Sequence, residues 1–165
     1  MHSDLVLAKR FVYDKLDFSF SNFKEESESE EYAACTFLLD NHLIKFRTSK
    51  ITPTKVGQFV TLWKRNEAGI TCPHEDSDPF DLYVISVRKE NKFGQFVFPK
   101  SALIKQGILS TSEKEGKRGF RVYPPWDITD NKQSEKTQKR QSEFFLEIND
   151  GNDLHLDRAK TLYSK

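Results

Sequence analysis

From Asp4 to Leu16 the apolar positions Leu5, Val6, Phe11, Val12 and Leu16 recur at helical intervals, with Ser3 or Asp4 placed to cap the start. The spacing predicts an amphipathic first helix. From Asp17 to Tyr32 the pattern lapses, and Glu25, Glu26, Glu28, Glu30 and Glu31 crowd among serines, which predicts a solvated acidic loop near residues 24–32. Two apolar runs around Asp40-Asn41, within Thr36 to Arg47, then predict a hairpin or bulged strand. Pro53 removes a ladder donor and makes Lys50 to Lys55 irregular. Gln58 to Lys64 alternates, with Phe59, Thr61 and Trp63 on one face.

After a polar stretch, Leu82–Arg88 and Gln95–Phe98 read as an antiparallel hairpin that ends at Pro99. A short helix over Ser101–Gln106 follows, capped by Ser101 and stopped by Gly107. Arg121-Val122-Tyr123 is a short strand halted by Pro124-Pro125, Lys132–Leu146 has helical spacing, and a polar tail covers 150–165. The sum is an α+β or mixed α/β fold: a central mixed sheet of about five strands flanked by helices.

Composition narrows this reading. At 165 residues the chain suits one domain over 1–165, and 14 Phe, 5 Tyr and 2 Trp exclude disorder throughout. No apolar run approaches the ~18 residues of a membrane span, and the start carries no secretory pattern. Cys35 and Cys72 therefore read as reduced thiols, and the expected location is cytoplasmic.

The net charge of +1 hides a segregated distribution. Between Lys45 and Arg65 stand six basic residues and no acidic one, and from Lys100 to Arg140 ten basic against five acidic. A fold that joins the two segments creates a cationic surface suited to phosphates. Lys117-Arg118-Gly119-Phe120-Arg121-Val122-Tyr123-Pro124-Pro125-Trp126-Asp127 adds aromatic rings beside a rigid turn, so bases can stack where phosphates are held. The plainer reading has Tyr123 and Trp126 covering the core edge. Thr52-Pro53-Thr54-Lys55 offers hydroxyl and amine donors to an anion, as an ordinary turn also does.

For catalysis the best-placed carboxylate is Asp81, at the mouth of a strand and followed across the hairpin by Gln95 and then Lys100. Metal-dependent nucleases set an acid at one strand end and an acidic-x-Lys triplet on the neighbour. Here that triplet reads Gln95-Phe96-Val97, without the second carboxylate or the lysine, so weak Mg²⁺ binding is expected. The four histidines and two cysteines show no zinc spacing, and neither a glycine-rich phosphate loop nor a nucleophile elbow occurs.

The chain resembles the MepB-like proteins of Gram-positive bacteria. The resemblance rests on Lys50 to Arg65, Asp78-Pro79-Phe80-Asp81, Phe93 to Lys100, Gly116-Lys117-Arg118, Arg121 to Asp127 and Lys136-Thr137-Gln138, in order along the chain. It implies a restriction-endonuclease-like core, nucleic-acid contact and a gene neighbourhood linked to multidrug resistance. Carried over by position, the family pattern marks Lys50, Thr54, Lys55, Gln58, Lys64, Asp81, Gln95, Lys100, Lys117, Arg118, Arg121, Tyr123, Asp127 and Gln138, and Arg140 departs from it where a tryptophan is expected.

Three functions stay open from sequence. The first is a nucleic-acid-binding domain, for DNA or RNA, without strong catalysis; Lys55, Lys64, Lys100, Arg118, Arg121 and Lys136 neutralise phosphates while Tyr123 or Trp126 packs on sugar or base. The second is a Mg²⁺-dependent nuclease using Asp81, Gln95 and Lys100. The third is a small-molecule or protein-binding accessory of drug response.

Overall fold

The computed structural model describes residues 1–164. Helix α1 (Ser3–Ala8) runs on as a π-helical stretch over Lys9–Tyr13. Six strands form the main sheet: β1 (Phe20–Glu25), β2 (Cys35–Leu39), β3 (His42–Thr48), β8 (Leu82–Lys89), β9 (Lys92–Pro99) and β11 (Phe145–Glu147), adjacent in that order. All neighbours are antiparallel except β3 and β8, which pair in parallel from Ile44↔Leu82 to Thr48↔Ser86. A parallel pair needs a long crossover. That crossover carries β4 (Lys50–Ile51), β5 (Gln58–Thr61), β6 (Trp63–Arg65) and β7 (Thr71–Pro73).

Strands β4 and β5 join β10 (Gly119–Val122) in a small antiparallel sheet ordered β10-β5-β4, and β6 pairs with β7. The short helix α2 (Lys100–Lys105) leaves β9 directly, α3 (Lys132–Ser142) follows β10, and α4 (Leu156–Tyr163) closes the chain. Because successive side chains point to opposite faces, the main sheet buries both. Phe37, Ile44, Phe46, Val84 and Val97 pack under α1 and α4, against Leu5, Val12, Ala159 and Leu162. On the other face Tyr83, Ile85, Phe96 and Phe98 meet Val60, Phe120 and Val122 of the small sheet, Leu62 just beyond β5, and Leu103 of α2. The small sheet is thus an outer layer, with its far side free to carry a site.

The mixed α+β architecture agrees with the sequence expectation, and four details differ. Within the 17–32 stretch expected as loop, Phe20–Glu25 form β1, while the acidic run beyond it stays irregular apart from a 3-10 turn at Glu30–Tyr32, with Glu26 fixed by Lys45 and Arg47. The predicted final helix stops at Ser142, and Phe145-Leu146-Glu147 pair with Phe96, Gln95 and Gly94, where bulky apolar side chains find a sheet edge to cover. The polar tail instead holds α4, with Ala159, Leu162 and Tyr163 buried along one stripe. Helix α2 takes Pro99 as its N-cap, so Ser101 sits inside the first turn. Among the described residues no helix is long and apolar enough to cross a membrane, and Cys35 and Cys72 are both free thiols.

Candidate nucleic-acid interface

The outer face of the small sheet follows from alternation. Gln58, Val60, Phe120 and Val122 point inward, which leaves Lys50, Phe59 and Arg121 opposite one another in a single outward row. Arg121 Nη2 donates to Thr52 Oγ1, tying β10 to the 52–57 loop. Lys50 Nζ lies 4.6 Å from the Tyr32 ring centroid, in cation–π range. Helix α3 docks alongside β10 through one amide: Gln141 Oε1 accepts from Tyr123 N at 2.9 Å, and its Nε2 donates to Arg121 O at 3.0 Å. Asn131 Oδ1 caps the helix by accepting from Ser134 N at 2.8 Å.

Between β10 and α3 lies a cleft of about 380 Å³. Lys117, Arg121 and Arg140 line it with Tyr123, Asn131 and Thr137, and no carboxylate is present in the lining. Such a wall attracts anions and offers donors to phosphate oxygens. Across Tyr123 lies a second cleft of about 440 Å³, walled by Thr54, Lys55, Lys89, Trp126 and Asp127. Gly57, at φ +84°, also lines it, and a Cβ there would stand 2.7 Å from the Tyr123 ring. Gly57→Ala is therefore expected to cost roughly 2 kcal/mol through left-handed strain and the clash, read as a lower urea midpoint; an unchanged midpoint would refute the tight packing of Tyr123 on the loop.

Both clefts lie inside the stretch recognised by a MepB-like family model, residues 26–147. The chain belongs to the MepB-like family. The crystal structure of MepB is similar to it at 36% identity and a TM-score of 0.77, over 89% of this chain and 97% of that one. A bacterial homing endonuclease overlaps 83% of this chain and 84% of its own at 14% identity, with a TM-score of 0.46. No curated protein matches the chain. The family match covers the other five strands of the main sheet and both clefts, and leaves out α1, β1 and α4.

The residues that the family pattern marks fall into two groups. Lys117, Arg121 and Tyr123 reach the first cleft, and Thr54, Lys55, Gln58 and Asp127 reach the second, together with Trp126. Most of the others hold the fold, as Gln58 also does. Gln138 Nε2 donates to Pro124 O and Asp127 O, fixing the Pro-Pro turn. Gln58 accepts from Ser49 Oγ at 2.6 Å and donates to Arg88 O at 3.2 Å. Lys64 is held 2.8 Å from Asp78, which raises its pKa, and Lys100 donates to Asp76 O and Asp78 O. Arg118 reaches Thr71 O at 3.1 Å and Glu115 at 3.7 Å, and Lys136 stands exposed on α3. Arg140, Asn131 and Thr137 join the first cleft although sequence reasoning placed no ligand on them; an Asn-capped helix rich in lysine after the Pro-Pro turn was the signal available.

Asp81 and Gln95 are not brought together. The ladder pairs Leu82 with Pro99 and Ser86 with Gln95, so the two lie five residues apart along it, roughly 16 Å. Asp81 Oδ2 accepts from Leu43 N at 2.7 Å while Asp81 N donates to Leu43 O, extending the β3–β8 pairing. Gln95 is fully buried toward the helices, where the Tyr163 hydroxyl donates to its Oε1 at 2.7 Å. Mg²⁺ needs converging oxygen ligands. These two residues do not fit it, and among the described residues no group of three His, Cys, Asp or Glu side chains could hold a metal.

A buried charge network is built on β3, where Lys45 and Arg47 stand opposite Tyr83 and Ile85 of β8. Arg47, 1% exposed, donates from Nη2 to Glu26 at 2.6 Å and from Nη1 to Phe46 O at 2.8 Å, and Lys45 reaches Glu26 at 2.6 Å. Burial pushes the Glu26 pKa up, and the two cations outweigh it and bring it below the usual carboxylate value. Close by, His74 Nδ1 lies 2.7 Å from Asp78, which also binds Lys64. Burial and the Lys45 charge together lower the His74 pKa to about 4, against the opposing pull of Asp78.

The neutral His74 ring therefore belongs to the folded state. Between about pH 6.5 and 4 the unfolded chain binds a proton there that the folded chain does not, so stability falls as pH falls through that window. The expected loss is on the order of 3 kcal/mol. Urea midpoints from pH 7.5 to 4.5 check it: His74→Gln should flatten the decline, and an equal decline in the variant would show that other groups cause it.

Proposed function

We propose that the chain binds nucleic acid by its phosphate backbone in the cleft between β10 and α3. The observation that supports this is a lining of Lys117, Arg121 and Arg140 without one carboxylate, in a protein whose net charge is only +1. Concentrated positive charge in a concave surface strengthens the local field. Asn131 and Thr137 add neutral donors, and Tyr123 supplies an aromatic wall on which sugar or base can pack. The role is binding rather than cleavage, because Asp81 and Gln95 sit on different parts of the sheet and serve the fold.

Fluorescence anisotropy of labelled single-stranded DNA, RNA and duplex DNA tests the proposal, with the salt varied and the probe examined for cleavage after incubation with Mg²⁺. The expected result is binding that weakens steeply with salt and leaves the probe intact. Salt-independent binding, or no binding, would overturn the backbone contact. Mg²⁺-dependent cleavage abolished by Asp81→Ala would overturn binding without chemistry.

A further inference from the structure

The second cleft has a different chemistry from the first. Its lining includes Ile51 and Ile128, 57% and 89% exposed, two branched apolar side chains left in water in the same cleft as Trp126. The indole stands edge-on to Phe145 at 5.5 Å, and its buried Nε1–H has no acceptor. Beside it the Asp127 side chain is only 9% exposed, yet its one ion-pair partner among the described residues, Lys89, stays at 3.6 Å, and no hydrogen bond reaches the carboxylate. Lys55 and Thr54 close the opposite wall.

Flat apolar walls, an under-coordinated carboxylate and two lysines describe a ligand with three parts: a planar body, an edge of N–H donors and an anionic group. We infer that this cleft receives an unpaired guanine base, stacked beside Trp126 with its N1–H and N2–H donating to Asp127, while its phosphate meets Lys55 or Lys89. Guanine places two donors side by side, which matches the two oxygens of a carboxylate. Adenine, cytosine and uracil do not present that pair. The inference rests on the backbone-binding reading above and deepens it, since Tyr123 borders the first cleft and packs on Gly57 of the second. A strand held along Lys117, Arg121 and Arg140 thus has the second cleft on the far side of the Tyr123 ring that packs on Gly57. Unstacked bases bound on aromatic rings and read along their pairing edges are the usual mode for single strands.

The chain has two tryptophans, so Trp63→Phe leaves Trp126 as the sole indole reporter. In that background, guanosine, adenosine, cytidine and uridine monophosphates and ribose 5-phosphate are titrated while Trp126 emission is followed. Guanosine monophosphate should quench saturably and at the lowest concentration of the five. Asp127→Asn should weaken it about tenfold, and Ile128→Ser, at a site too exposed to disturb the fold, should weaken it severalfold. Equal quenching by all four nucleotides, or quenching that ignores both variants, overturns the guanine assignment. Absence of quenching by any nucleotide overturns the base site, and anisotropy of a thymidine-only oligonucleotide on the unmutated chain then shows separately whether backbone binding survives.

Discussion

Replacing Glu26 by Gln is expected to lower the unfolding free energy by about 3 kcal/mol, the lower end of the range for breaking a buried ion pair, because Glu26 keeps 21% of its side chain exposed. The substitution is nearly isosteric and leaves the volume filled. What it removes is the charge that balances Arg47, whose side chain is 1% exposed and whose Nε has no partner. Lys45 also loses its counter-ion at 2.6 Å. A drop of roughly 6–12 °C in melting temperature follows for a chain of this size. Glu26→Leu combined with Lys45→Met and Arg47→Met should recover most of the loss, since apolar replacement of a whole buried ionic group is often neutral. A single-variant loss below about 1 kcal/mol would show a network screened like a surface pair.

That network marks where the sequence becomes opaque. Strands β3, β8 and β9 are legible because their apolar runs are long and end at turn residues, and β5 and β10 because they alternate. Strands β1 and β7 are not, because Phe-Ser-Asn-Phe-Lys-Glu and Thr-Cys-Pro acquire their conformation by pairing rather than by burial of a face, and the alternation read through Lys64 runs past a break at Leu62 that sends Trp63–Arg65 into a separate pairing with β7. Arg47 falls in a readable strand and Glu26 in a readable acidic run, but the ion pair between them spans 21 positions and is fixed only when β2 sets the register. The clefts divide in the same way. The cationic and aromatic residues of the 117–127 segment are evident from composition, whereas their meeting with Thr54 and Lys55 depends on the row Arg121, Phe59 and Lys50 across the small sheet. Lys64 and Lys100 show the converse: by spacing they are free cations, and in the fold Asp78 and the 76–78 backbone engage them.

The second large effect is expected at the first cleft. Lys117→Ala with Arg140→Ala should weaken single-strand binding about a hundredfold at low salt, near tenfold for each charge-assisted contact removed. Both side chains are exposed and neither forms an ion pair among the described residues, so the melting temperature should hold while affinity falls. Arg121 is the poorer first target, because its bond to Thr52 joins β10 to the 52–57 loop and its loss would mix folding with binding. The salt series separates charge from shape. Each phosphate contact on a single strand contributes about −0.7 to the slope of log K against log salt, so the double variant should flatten the slope by about 1.4. An unchanged slope with reduced affinity would mean that the two residues shape the cleft without touching phosphate, and an unchanged affinity would place the backbone elsewhere on the molecule. Arg140 carries particular weight here. The resemblance leads one to expect a tryptophan near this position, and a guanidinium can stack as well as bind phosphate. Arg140→Trp should therefore flatten the slope by about one contact while retaining more affinity than Arg140→Ala. Equal losses for the two would exclude stacking at that position and leave Arg140 a purely electrostatic contact.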